Sequence, residues 1–129
     1  MSHTVKILSQ FKNLKALSKG FNELGWQLTN NSKLRSYNNH DTKVYTRAAV
    51  NPEVGPNAYD VGIEDSNGVY ELFSDTFGGS VERSLGVGFS RLKVATKRIE
   101  IEQYAEENGY DMVVKNLENG GVEIEIAHT

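Results

Sequence analysis

Tyr59–Asp75 reads YDVGIEDSNGVYELFSD, and its interpretation decides the fold. Asn67-Gly68 is the preferred pair for a type I′ turn, because both residues tolerate positive φ. Tyr59, Val61 and Ile63 alternate with Asp60, Gly62 and Glu64 before it. Tyr70 and Leu72 alternate with Val69, Glu71 and Phe73 after it. Strand side chains point alternately to opposite faces, so this is a β-hairpin with one apolar and one acidic face. A two-residue turn sets Ile63 against Leu72, Glu64 against Glu71 and Asp60 against Asp75. A three-residue loop would set Ile63 against Glu71 and is rejected. Like charges opposed twice are destabilising, so compensation is expected, and Phe73 lying over Gly62 would supply part of it.

Around the hairpin, Thr4–Phe11 reads as a first strand. Asn13 is placed to cap a helix whose stripe is Leu14, Leu17, Phe21 and Leu24, with Gly25 as its stop. Trp26–Leu28 starts a second strand, which Asn30, Asn31 and Ser32 interrupt before Leu34–Tyr37 resumes it. Lys43–Val50 is a third strand with Lys43, Tyr45 and Arg47 on one face. Both prolines fall in the Asn51–Asn57 loop. Ser80 caps a short helical piece, and Gly86 and Gly88 separate it from a long helix running from about Phe89 to Asn108. A second hairpin closes the chain, with Val122, Ile124 and Ile126 alternating with glutamates. Its register is open by one residue because Asn119-Gly120-Gly121 offers three turn residues. The order β-α-β-β-β-β-α-β-β predicts one α+β domain over residues 1–129. It has two layers, an antiparallel sheet with two main helices on one face, related to a split βαβ arrangement with extra strands.

Composition narrows the function classes. At 129 residues and 38% hydrophobic content the chain suits a single core. It has no apolar run of transmembrane length, no signal-peptide core and no cysteine, so a soluble protein of a reducing compartment is expected. His3, His40 and His128 make no metal-ligand spacing. Residues 1–50 carry eight Lys/Arg and two acids, whereas residues 51–129 carry six and fifteen. Either the two halves neutralise each other in space, or the molecule is dipolar and steered to a charged partner.

Three surfaces are candidates for function. The face carrying Asp60, Glu64, Glu71, Phe73 and Asp75 suits a basic protein partner. As a metal site it is weak, because the two carboxylate pairs lie roughly 13 Å apart and cannot share one ion. The set Lys33, Arg35, Lys43, Tyr45 and Arg47 combines cations with an aromatic ring, the pattern that binds single-stranded nucleic acid. Gly78-Gly79…Gly86-Val87-Gly88 lacks the Gly-Lys-Ser/Thr and GxGxxG patterns of phosphate loops and reads as a connection. Catalysis has little support: no nucleophile and base are spaced for it, and a Glu71/Asp75 acid–base pair on an open sheet lacks a pocket. No catalytic residue, metal or cofactor is expected.

Several of these stretches together resemble a known family. They are Met1-Ser2-His3, Leu17…Leu24-Gly25-Trp26, Tyr59-Asp60-Val61-Gly62-Ile63 and Tyr70-Glu71-Leu72…Asp75, followed by Ala95, Ile99, Ala105, Gly109-Tyr110 and Gly120-Gly121-Val122-Glu123-Ile124. Their order is similar to that of the conserved chloroplast reading-frame thirty-five family, a family of unknown function shared by plastids, cyanobacteria and other bacteria. The resemblance covers nearly the whole chain, although each motif is loose. It departs after Asp75, where similar members carry a tryptophan and this chain has Thr76-Phe77-Gly78-Gly79. It implies a protein of the cytoplasm or plastid stroma, or of the host cytoplasm if the source is a cyanobacterial virus, which the asparagine-rich composition suits. It implies no established catalysis and proximity to an AAA-type ATPase. The expected function is a non-catalytic binding or adaptor domain, with single-stranded nucleic-acid binding as the alternative and an enzyme or metal site at the hairpin carboxylates as a second.

Overall fold

A computed structural model of the chain describes residues 4–118 and 122–128. The fold is α+β. In chain order the elements are β1 (Thr4–Phe11), α1 (Leu14–Glu23), β2 (Gln27–Lys33), β3 (Val44–Val50), β4 (Val61–Ser66) and β5 (Val69–Asp75). A short α2 (Ser80–Leu85), a long α3 (Ser90–Glu107), β6 (Tyr110–Asn116) and β7 (Val122–His128) complete it. Five strands form an antiparallel sheet in the order β1-β5-β4-β3-β2. Alternation of direction makes the two edge strands, β1 and β2, run parallel to each other. They are joined by α1, so the unit is a split βαβ with β5, β4 and β3 inserted.

The hairpin register is as expected. Ile63 pairs with Leu72, Glu64 with Glu71, and Gly62 with Phe73. Asn67 and Gly68 have φ of 53° and 82°, the two positive values that a type I′ turn requires. The cap of α1 is also as read: the Asn13 side chain accepts from the Ala16 N–H at 3.0 Å. At the other end, Trp26 N–H donates to Phe21 O and Gly25 N–H to Asn22 O, the paired bonds of a Schellman stop.

One sheet face carries the main core. Val61, Ile63, Leu72 and Ala49 meet Leu17 and Phe21 of α1, Val81 and Leu85 of α2, and Phe89 and Leu92 around the start of α3. Trp26 is fully buried among them, and its indole N–H reaches Ser84 Oγ at 2.7 Å, tying α2 to the end of α1. Gly86 and Gly88 do separate α2 from α3.

Three expectations need correction. β2 is not broken at Asn30–Ser32; it runs through them, with Asn31 at φ 51°, and Leu34–Tyr37 leaves the sheet instead of resuming the strand. The closing hairpin does not join the sheet. β6 and β7 form a two-stranded sheet of their own beside α3, in a register that sets Val114 against Ile124. The turn at Asn119–Gly121 lies outside the described residues. Ile124 is consequently only half-buried and lies outside the core that gathers Leu17, Phe21, Ile63, Leu72 and Leu92. Among the described residues no helix is long and apolar enough to cross a membrane.

Leu72 is fully buried at the centre of the sheet. Leu72→Ala is expected to cost about 2–5 kcal/mol, measured from the urea midpoint. Space around the Gly68 Cα is open, so Gly68→Val is penalised by φ alone. It should still lower the midpoint more than Asn67→Asp, since a β-branched residue tolerates positive φ poorly.

Candidate functional site

The chain from Leu34 to Lys43, between β2 and β3, folds over the sheet face opposite the main core. That path decides what the hairpin acids do. Asp60 directly precedes β4 and is 6% exposed. Arg35 grips it with both side chain and backbone: Arg35 N–H reaches Oδ2 at 2.9 Å and Nη2 reaches Oδ1 at 2.7 Å. Asp60 N–H donates back to Arg35 O. The Asn51 N–H adds a further bond to Oδ1 at 2.9 Å. The bond to Asp60 also raises the Arg35 pKa. Asp75, at the end of β5, is 1% exposed. Its two oxygens accept from Tyr37 N–H at 2.9 Å and Phe77 N–H at 3.0 Å, and His40 Nδ1 lies 3.7 Å away.

The predicted acidic surface therefore does not exist as an exposed patch. Asp60 and Asp75 are inside, each hydrogen-bonded by the chain itself, because a buried carboxylate needs donors and these loops supply them. Glu64 and Glu71 stay nearer solvent, and each has a lysine: Lys43 at 3.7 Å from Glu64, and Lys6 against Glu71. The Lys6 ammonium holds the Glu71 carboxyl below its usual range. The opposed glutamates are thus offset by flanking cations, not by a ring over glycine alone. Arg98 of α3 pairs with Glu23 of α1 and with Glu102. Lys6–Glu71, Arg35–Asp60 and Lys43–Glu64 each join a cation of the basic first part of the chain to an acid of the remainder, which is the neutralising alternative for the uneven charge.

The basic set is also dispersed. Tyr45 is 3% exposed, and its hydroxyl donates to Asp41 Oδ2 at 2.9 Å. Its ring cannot stack on a base, because it lies on Gly62: a Cβ there would stand 2.4 Å from Tyr45 Cδ1. Tyr45, not Phe73, covers this glycine, and the two rings are 5.9 Å apart. With Leu34 and Ala48 they form a second small core on the back of the sheet. Lys43 Nζ sits 4.8 Å above the Tyr45 ring. Arg47 goes elsewhere, to 5.9 Å from Tyr70 beside the main core. Arg35 is committed to Asp60, and Lys33 is exposed at the end of β2. The shared face expected for Lys43, Tyr45 and Arg47 fails at Thr46. There the β3–β4 ladder has ended, and Thr46 N–H and Oγ1 bond the Glu64 carboxylate instead.

What sequence reading missed is the aromatic pair that Asp75 organises. Tyr37 and Phe77 lie on separate loops, yet their backbone N–H groups share one carboxylate. Their rings meet edge to face at 4.8 Å and remain 38% and 46% exposed. Around them the backbone is held in uncommon conformations: Asn38, Asn39, Gly78 and Gly79 all have positive φ. The signal available in the sequence was an aspartate followed two residues later by an aromatic and two glycines.

The described clefts border α1 and the paired ends of β2 and β3. One of about 390 Å³ sits between α1 and α3, lined by Lys19, Glu23, Ile99, Glu102, Gln103 and Glu106. Among the described residues no three His, Asp or Glu side chains gather as a metal site. No family model, curated protein or solved structure gives a significant match to the chain.

Burial, together with the bond to Asp41, pushes the Tyr45 phenol well above the ordinary tyrosine value of 10.0, and burial raises Tyr59 as well. Above that ordinary value the unfolded chain loses these protons while the folded chain keeps them. Stability is therefore full below about pH 10 and falls as pH rises beyond it. Urea midpoints measured on either side of pH 10 should show this decline, and Tyr45→Phe should lessen its steepness.

Proposed function

We propose that this chain is a small non-catalytic binding or adaptor domain that acts through protein contacts, with the Tyr37–Phe77 pair as its contact point. The single observation that carries this reading is the shared carboxylate beneath the rings. Aromatic side chains contribute most to recognition when they are rigid before contact, since little freedom is then lost on binding. Here two exposed rings are fixed by backbone bonds to one buried group. The exposed amides of Asn38 and Asn39 stand beside them. Such an arrangement suits a protein segment bringing an apolar side chain to the rings and backbone groups to the amides. The resemblance to the chloroplast reading-frame family makes an AAA-type ATPase the first partner to try.

A photo-crosslinking phenylalanine analogue at position 77 tests the reading, with the same analogue at the exposed Val54 as the control. In extract of the native cell, position 77 should give a discrete protein adduct that Val54 does not, and Tyr37→Ala in the same chain should remove it. Equal labelling from both positions would count against the pair. A nucleic-acid adduct in place of a protein would reassign it to base stacking.

A further inference from the structure

The described residues form two sheets with four edge strands, and these are not equally protected. Regular unpaired edges invite another strand, and irregularity or charge discourages it. In the main sheet β1 shifts register between Ile7 and Phe11, and β2 carries Asn31 in the left-handed region. β6 and β7 differ: seven consecutive residue pairs, Tyr110–His128 through Asn116–Val122, run without a bulge. A two-stranded sheet is marginal by itself. This one leans on α3, where the Tyr104 and Tyr110 rings lie 5.8 Å apart.

Charge separates the two remaining edges. The outward face of β7 carries Glu123 and Glu125, so a second β7 laid antiparallel about Ile124 would set glutamate against glutamate. β6 carries Asp111, Val113 and Lys115 on that same face. Val113 at the centre is 52% exposed. Asp111 faces Ala127 across its own hairpin and so has no cation opposite. Among the described residues neither Asp111 nor Lys115 makes an ion pair. The two residues stand symmetrically about Val113. An antiparallel copy of the strand centred there brings each aspartate opposite a lysine and valine beside valine.

We propose that β6 pairs with β6 of a second copy about a two-fold axis at Val113, giving a four-stranded sheet β7-β6-β6-β7 that spans both chains. The contact is isologous, so both Asp111–Lys115 pairs form at once and the assembly closes as a dimer. On the opposite face the half-buried Met112 and the exposed Ile126 of the two copies become one continuous apolar strip. The mode is strand addition, in which main-chain bonds give affinity and the side-chain pattern sets register. An edge of this length buries less than a standard interface, so the dimer is a weak, concentration-dependent one.

Sedimentation equilibrium of the full chain, from micromolar to near-millimolar concentration, provides the test. The wild type should move from monomer to dimer. Asp111→Lys sets lysine against lysine twice per dimer, and Lys115→Asp sets aspartate against aspartate twice. Each variant should weaken association at least about tenfold. An equimolar mixture of the two should dimerise again, because each strand then presents the charges that the other lacks. Both substitutions are on exposed positions, and circular dichroism will show that each variant remains folded. A wild type that stays monomeric throughout, single variants that associate as well as the wild type, or a mixture that stays dissociated would each overturn the proposal.

Discussion

A carboxylate taken out of water must be given donors, and in this protein that requirement organises everything around the start of β4 and the end of β5. Asp60 collects Arg35 and the Asn51 N–H. Asp75 collects Tyr37 and Phe77. The two acids sit at the same end of paired strands, so together they fix the exit from β2, the exit from β3 and the turn after β5. Asn51 extends the network, donating from its side chain to Tyr59 O and Ser80 Oγ and so reaching the first residue of α2. The loops on the back of the sheet are held by polar bonds, whereas the helices on the front are held by apolar burial.

That difference explains which parts of the fold were legible in the sequence. The front obeys periodicity. Ile63 and Leu72 alternate into it, Leu17 and Phe21 recur at helical spacing, and Asn67-Gly68 and Gly25 mark where direction changes. Each of these is a local signal whose outcome is set within a few residues. The back depends on a connection that crosses it. Alternation places Asp60 and Asp75 on that face correctly, but nothing local says that Leu34–Asp41 will cover them and convert surface acids into buried anchors. Tyr45 was misassigned for the same reason: its position is set by the gap above Gly62 and by Glu64 taking over Thr46, both contacts between distant residues.

The closing hairpin was readable as a hairpin and misread in its placement. Its alternation is as regular as that of β4 and β5, but alternation does not say which sheet a strand will join. α3 intervenes between the main sheet and β6, and the half-buried apolar face of the hairpin rests against that helix. A strand pair that looks like an extension of the sheet thus becomes a separate surface.

The strand order also bears on the sequence of events in folding. β2, β3, β4 and β5 follow one another along the chain and lie side by side in reverse order, so each can pair with a neighbour through a connection of modest length. β1 pairs with β5, and Thr4 opposite Asp75 closes a loop spanning more than half of the protein. Loop entropy grows with that separation, and non-local pairing is what slows the folding of β-rich domains. Of the five strands in this sheet, the one that comes earliest along the chain is therefore the last that the sheet can recruit. Until Asp75 has left the ribosome, β1 has no partner, and a nascent chain stopped short of that residue exposes an unpaired edge.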